Sequence, residues 1–314
     1  FMLVAYGREK YGMDFWRKTA GESAAFKGLF YPLQKSIRRN AGISFRQFRQ
    51  QAFDYFRNQL PDSAYRDSNA VYGHQQPHFH ADESFPQFTD SNHLIFLKSS
   101  YRRPPQFVRK DLRSQKETRI GFRAVSSDDQ FAYRNGQIVY AAYEPDLRWG
   151  WRDFSVIRML NLQTGKDTRI SSRTKYFSPD ISPDGKSIVA VAYLESSRCF
   201  LDILDSRSGK KTIRIPNPEN LYFTYPKFFS DEQLVSAVRN ERGEMCLMMI
   251  DIPSGSQTLL VPWSMHPIGF PSVENGDIYF TRSENGVDKG FRMRSGEVFA
   301  MLHQPVTGTY QISA

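Results

Sequence analysis

Five times along the chain a short β-rich run returns at nearly the same interval, which restricts the fold more than any other feature. The runs begin at Leu94, Ile138, Ile188, Leu234 and Ile278, spaced 44, 50, 46 and 44 residues apart. Each follows a shorter run and a tight polar turn: Phe88-Thr-Asp-Ser91, Tyr133-Arg-Asn-Gly136, Ile181-Ser-Pro-Asp-Gly185, Phe229-Ser-Asp-Glu232 and Val273-Glu-Asn-Gly276. Each precedes a second hairpin, closed by Gly165, Gly209, Gly255 and Gly308 in the last four copies and by Ser114-Gln115-Lys116 in the first. Four strands in a unit of about 45 residues make a β-propeller blade. One blade cannot bury both faces of its sheet, so neighbours must stack radially. The expected fold is mainly β, with five blades over residues 85–314. A closed ring of five satisfies the pattern, but six is favoured. Ala70-Val-Tyr72 aligns with the outermost strand of the other units and would complete a last blade whose three companion strands lie beyond Ala314.

Before the repeats the period is helical. Ser44-Phe-Arg-Gln47 is a capping box, and Gly42 suits the left-handed close of the preceding helix. Phe45, Phe48, Ala52, Tyr55 or Phe56, and Leu60 then fall at three- and four-residue steps on one face. Asp14–Ala25 and Gly28–Ala41 read as two further helices, with Pro32 in the first turn of the second, where its missing N–H does no harm. The chain opens inside another helix at Phe1, which reads as an internal piece of a longer polypeptide. Aromatic stripes of this kind form cores rather than cofactor pockets. The division expected is a helical segment over 1–60, a linker over 61–84 and the blades over 85–314.

Several chemistries are excluded. No apolar run approaches the roughly 18–20 residues of a membrane helix. Cys199 and Cys246 each open the third strand of successive blades, beyond the roughly 7 Å Cα limit for a disulfide, so both thiols should be free. Serines lack a Gly-x-Ser-x-Gly setting, and Gly-Lys at 165–166 and 209–210 are hairpin turns rather than phosphate loops. Asp180 and Asp184 belong to turns, not a calcium loop. His74, His78 and His80, near Asp82 and Glu83, are the weak metal candidates; no third ligand is fixed, and a solvated linker explains them. No cofactor and no catalytic residue is expected. The net charge of +9 reads first as basic side chains solvating a loop-rich surface, with an anionic partner as the alternative.

The partner-binding candidates come from position. In a four-stranded blade the b–c loops and the blade-to-blade connections share one face, opposite the short a–b and c–d turns. Tyr101, Arg102, Arg103, Arg148, Trp149, Trp151, Arg152, Arg239 and Arg242 fall on that face, with Lys289 to Arg294 and the connection Asn220 to Tyr225. Arg, Trp and Tyr are the residues enriched at binding hot spots. The Glu144–Phe154 loop, among the longest of its kind, pairs two cations with two indoles and suits an acidic or aromatic peptide. The competing reading places both indoles between blades as filler.

Ser178-Pro-Asp-Ile-Ser-Pro-Asp-Gly-Lys186, with the Asp205 to Gly209 turn, resembles the TolB-like propeller repeat and lacks the Gly-His and Trp-Asp signatures of WD40 blades. Tyr6-Gly-Arg-Glu-Lys-Tyr-Gly-Met-Asp-Phe-Trp16 with Phe26-Lys-Gly-Leu-Phe-Tyr-Pro32 resembles the last helices of gluzincin, or peptidase-MA-like, metallopeptidase domains. Bacterial proteins that fuse the two are similar over nearly the whole chain, and Tyr133 to Gly136 and Arg148 to Arg152 strengthen the likeness. The resemblance implies export to the periplasm or outer membrane. It also implies that any zinc site lies upstream of Phe1, because no histidine here is followed by Glu as His-Glu-x-x-His requires. The expected function is a non-catalytic, protein-binding scaffold of a cell-envelope peptidase-like protein. A propeller gating substrates of an active zinc metalloprotease is one alternative; an anion-binding module for nucleic acid or envelope polymer is another. A protein or peptide partner in the envelope is expected rather than nucleic acid, with membrane association only through a partner or missing segments.

Overall fold

The fold is drawn from a computed structural model, which describes residues 1–59, 80–194 and 197–301. Two compact units result, Phe1–Arg66 and Asp67–Ala314.

The first unit has four helices: α1 (Met2–Tyr11), α2 (Phe15–Ala24), α3 (Pro32–Ala41) and α4 (Phe45–Gln59). Ser44 and Gln47 form the capping box at α4: the Gln47 amide donates to Ser44 Oγ at 3.2 Å and the Ser44 amide to Gln47 Oε1 at 3.0 Å. Gly42 closes α3 in the left-handed region at φ 73°. α3 starts at Pro32, four residues later than the periodicity suggested, because a residue before proline is driven out of the α region; Tyr31 sits at φ 60°. The core is a ring cluster around Phe48, whose centroid lies 5.3 Å from Tyr6, 5.6 Å from Phe15 and 6.0 Å from Trp16.

The second unit is a five-blade β-propeller, every blade a four-stranded antiparallel meander. Blade one is β1 (Ala81–Asp90), β2 (His93–Ser100), β3 (Arg103–Asp111) and β4 (Glu117–Phe122); blade two is β5 (Phe131–Arg134), β6 (Gln137–Pro145), β7 (Asp153–Asn161) and β8 (Asp167–Arg169). Blade three is β9 (Tyr176–Ile181), β10 (Ser187–Tyr193), β11 (Cys199–Asp205) and β12 (Lys211–Arg214). Blade four is β13 (Tyr222–Phe228), β14 (Gln233–Arg239), β15 (Met245–Asp251) and β16 (Gln257–Ser264), and blade five is β17 (Ile268–Glu274), β18 (Asp277–Glu284), β19 (Val287–Arg294) and β20 (Glu297–Ala300). The five repeat markers each occupy the second position of a b strand. β1 begins at Ala81, so residues 81–84 lie in the first strand of the first blade. The Ala70-Val-Tyr72 alignment falls outside the described residues.

Radial stacking explains why b strands read as unbroken apolar runs. Successive side chains point to opposite faces, and each face meets a different neighbour. Tyr140 and Ala142 pack on Ile95, Leu97 and Phe107 of blade one, whereas Val139 and Ala141 pack on Ile188 and Ala190 of blade three. Val189 and Val191 then meet Leu234 and Val238 of blade four, and Val235 and Ala237 meet Phe280 and Phe291 of blade five.

The innermost strands carry a second repeat. Phe85, Ser178, Tyr225 and Phe270 lie at φ 46° to 54°, each precedes a proline, and each sits at a break in ladder register. An extra residue there twists the strand and re-aims the side chains after it. The side chain after the proline then crosses to the next blade. Gln87 Nε2 donates to the Phe131 carbonyl at 2.6 Å, and Gln87 Oε1 accepts the Tyr133 amide at 2.7 Å. Asp180 accepts the Phe228 amide at 2.8 Å and Lys227 Nζ at 3.3 Å. Blade two has neither proline nor bulge in β5; Asp128, just upstream, accepts the amide and hydroxyl of Ser178 in blade three.

Candidate functional site

The b–c loop of blade two joins β6 to β7 through seven residues, 146–152, against two between β2 and β3 and two between β18 and β19. Its shape is set by its own backbone. Asp146 Oδ1 accepts the amides of Arg148 at 2.8 Å and Trp149 at 3.2 Å. The Arg152 amide donates to the Trp149 carbonyl and the Asp146 amide to the Arg152 carbonyl. The Arg148 amide, and the Trp149 amide and Arg152 charge after it, hold the Asp146 carboxyl below its ordinary value. No indole is needed for this turn, so both project outward: Trp149 is 57% exposed and Trp151 wholly so, at 105%. Neither fills a gap between blades. Arg148 lies over the Trp149 ring, 5.2 Å from its centroid.

Beside this loop a cleft of about 980 Å³ opens between blades two and three. Trp149, Trp151, Arg152 and Phe154 of blade two, Tyr193 and Leu194 of blade three, and the connection Arg173-Thr-Lys175 between the blades line it. Several cations here are already engaged. Arg214 grips Asp202 through two 2.7 Å hydrogen bonds, and Lys175 pairs with Asp153. Arg173 carries no ion pair among the described residues, and its charge reaches Asp146 only at a distance. Burial pushes the Tyr193 hydroxyl up to about 12, with Cys199 adding to the shift. The cleft is therefore a neutral-to-cationic aromatic trough. Its size is that of a site burying a drug-sized ligand, about 300–1,000 Å³.

The remaining candidates share the end of the blades but not the cleft. Tyr101 and Arg102 occupy the short turn of blade one and Arg103 opens β3, with Tyr101 fully exposed. Arg239 ends β14 with its guanidinium 5.3 Å from the Tyr222 ring, and Arg242 pairs with Glu244 at 3.3 Å. Lys289 to Arg294 are not loop residues. They lie in β19, and Arg292 and Arg294 both pair with Asp277 at the start of β18, at the opposite end of the blade. Tyr222 to Tyr225 likewise belong to β13. Sequence reasoning missed Arg173, Tyr193 and Leu194, because they come from a strand end and connections that only radial stacking brings beside the blade-two loop.

His74 and His78 fall outside the described residues; His80 pairs with Asp82 at 2.9 Å. Among the described residues no three potential metal ligands gather. Cys199 and Cys246 are buried free thiols, and burial lifts Cys246 to about 12, which leaves it unreactive as a nucleophile. No helix among the described residues is long and apolar enough to cross a membrane.

No protein-family model matches the sequence, and no curated protein matches it. Solved structures do match in fold. TolB from Acinetobacter baumannii superposes with a TM-score of 0.53 at 15% identity, over 68% of this chain and 52% of that one. The putative TolB of Agrobacterium tumefaciens gives 0.53 at 16% identity, over 70% of this chain and 80% of that one. The chain thus spans about half the length of the first of these. With the five radial blades, these matches show that the described strands from Ala81 to Ala300 adopt the TolB-like β-propeller fold.

Proposed function

We propose that this chain is a non-catalytic, protein-binding scaffold whose propeller holds an acidic or aromatic peptide segment of a partner in the cleft between blades two and three. The observation that carries the reading is Trp151, an indole with no packing role at the mouth of a cationic aromatic trough. Exposed aromatic and Arg side chains around a concavity are the usual anchors of protein interfaces. Arg148 over Trp149 adds a cation–π unit, and Arg173 offers its charge to a carboxylate. The peptidase-MA-like parent and the periplasmic or outer-membrane setting rest on the resemblance of Tyr6 to Trp16 and Ser178 to Lys186. The scaffold is favoured over a substrate gate because the exposed aromatic and Arg side chains stand at the cleft between blades two and three rather than around the axis where the innermost strands converge.

The test is selection of a random peptide library on the whole chain, followed by titration of recovered peptides against Trp151→Ala and Arg173→Ala. Loss of the indole should weaken binding tenfold or more and leave the thermal midpoint unchanged. Peptides that bind both variants as tightly as the parent would remove the cleft from the proposal. Binding that collapses with salt and extends to any polyanion would favour the anion-binding reading instead.

A further inference from the structure

The charge of the chain is not where its propeller is. Residues 1–66 carry 12 Lys and Arg against 5 Asp and Glu, a formal +7, while residues 67–314 carry 30 against 28, or +2. Within the helical unit the seven consecutive residues Lys27 to Leu33, which run from the α2–α3 connection into the first turn of α3, are all exposed. Four of them are large and apolar: Leu29 is 90% exposed, Phe30 and Tyr31 are 67% exposed each, and Leu33, in the first turn of α3, is 41% exposed. The loop is a built one. Lys35 Nζ lies 4.7 Å from the centre of the Phe26 ring, a Cβ on Gly28 would strike that ring, and Tyr31 holds the left-handed turn before Pro32.

We infer that this loop is a membrane-contact tip that inserts Leu29, Phe30 and Tyr31 into the interface of an anionic lipid surface. An apolar tip bordered by cations is the arrangement that binds such a surface, the tip lying about 5–10 Å into the headgroup boundary. Cations flank the tip on both sides along the chain. Lys27 lies two residues before Leu29; Lys35 and Arg38 follow Pro32 along α3 by about 4.5 and 9 Å of helix rise. α3 contains Lys35, Arg38 and Arg39 and no acidic residue. Arg39 is held by Glu22 at 3.4 Å, but Lys27 and Arg38 have no ion pair among the described residues. This departs from the expectation that membrane contact comes only through a partner or missing segments, because the required chemistry is in the helical unit itself.

The experiment is co-sedimentation of the whole chain with vesicles of phosphatidylcholine, with and without one-third phosphatidylglycerol, at low and high salt. Partitioning onto the anionic vesicles should exceed that onto neutral ones at least tenfold and fall with salt. The double change Leu29→Ser with Phe30→Ser should remove at least a factor of ten even at low salt. Lys27→Glu with Arg38→Glu should weaken binding and flatten its salt dependence. Equal binding to both vesicle types, or binding indifferent to the tip, overturns the inference. So does sedimentation of the free chain as a dimer that the tip variant converts to monomer, since the tip would then be covered by protein.

Discussion

The helical unit and the propeller bury their apolar side chains in opposite ways. The four helices converge on one aromatic cluster, with Phe48 wholly buried at its centre and Tyr6, Phe15 and Ile37 around it. The propeller spreads its core over four clusters, each shared by two adjacent blades, and adds side-chain clamps between innermost strands. A unit of about 60 residues buries a smaller share of its surface than a larger domain and is correspondingly marginal. The helical unit therefore has one point of failure, while the propeller should fail only where one blade is forced away from the next.

Phe48→Ala gives the sharpest test of that contrast. Truncating a buried Phe costs about 3–5 kcal/mol, and here it also removes edge and stacked contacts to four rings. The helical signal in circular dichroism should be lost at a temperature where the propeller is still folded. Calorimetry that shows both units melting together in the variant would break the comparison, because the two would then be one cooperative body.

The next largest effect belongs to the glycine turns between c and d strands. Gly165 and Gly209 occupy equivalent turns at φ 67° and 68°, yet their surroundings differ. A Cβ on Gly165 meets nothing, whereas one on Gly209 would stand 1.8 Å from the Ile170 carbonyl oxygen in the connection from blade two. Gly165→Ala carries only the left-handed backbone penalty of about 1–2 kcal/mol. Gly209→Ala adds an overlap with backbone that only a shift between blades relieves, typically a further ~1–3 kcal/mol. Denaturant midpoints should rank parent, Gly165→Ala and Gly209→Ala in falling order. Equal losses in the two variants would mean that blades two and three do not approach as closely as the structure places them.

Gly209 also marks the limit of what was legible in the sequence. That a hairpin turns there follows from its glycine, and the blade count and b-strand register follow from the period. The Ser44 to Gln47 cap was readable because its partners are three residues apart. The contact that the turn makes was not readable, because Ile170 lies on a neighbouring blade whose orientation no local pattern encodes. The same holds at the candidate site. The loop from Arg148 to Arg152 stood out by length and composition, but Tyr193 and Arg173 complete the cleft only through radial stacking. Lys289 to Arg294 were misplaced for a local reason: the turn at Asn285-Gly286 is two residues long, so the run continues as strand. The inter-blade clamps had a signal that went unused, a proline at positions 86, 179, 226 and 271, each seven to nine residues before a repeat marker.

The smallest expected effect separates the units by pH. In the propeller, turn backbone amides and neighbouring hydroxyls hold Asp90, Asp111, Asp184, Asp205 and Asp251 below the ordinary 3.8, Asp184 down to about 2. The folded state thus favours their ionised form. Their contribution is complete above the unfolded value and is lost as pH falls through the depressed folded values, which for Asp184 means toward about 2. Asp128 runs the other way. Burial raises its carboxyl despite the Ser178 and Gln130 amides that it accepts. Folding therefore favours its protonated form, a contribution present below 3.8 and lost as pH rises through the higher folded value. The propeller's melting temperature should fall by several degrees on acidification below about pH 4, with a shallower decline above it that Asp128→Asn abolishes. Asp184→Asn should soften the acid limb alone. All the groups invoked belong to the propeller, so its calorimetric transition should move while that of the helical unit stays. An acid limb unchanged by Asp184→Asn would assign the loss to net-charge repulsion rather than to the turns, and an upper decline that survives Asp128→Asn would mean that the buried carboxyl is ionised throughout.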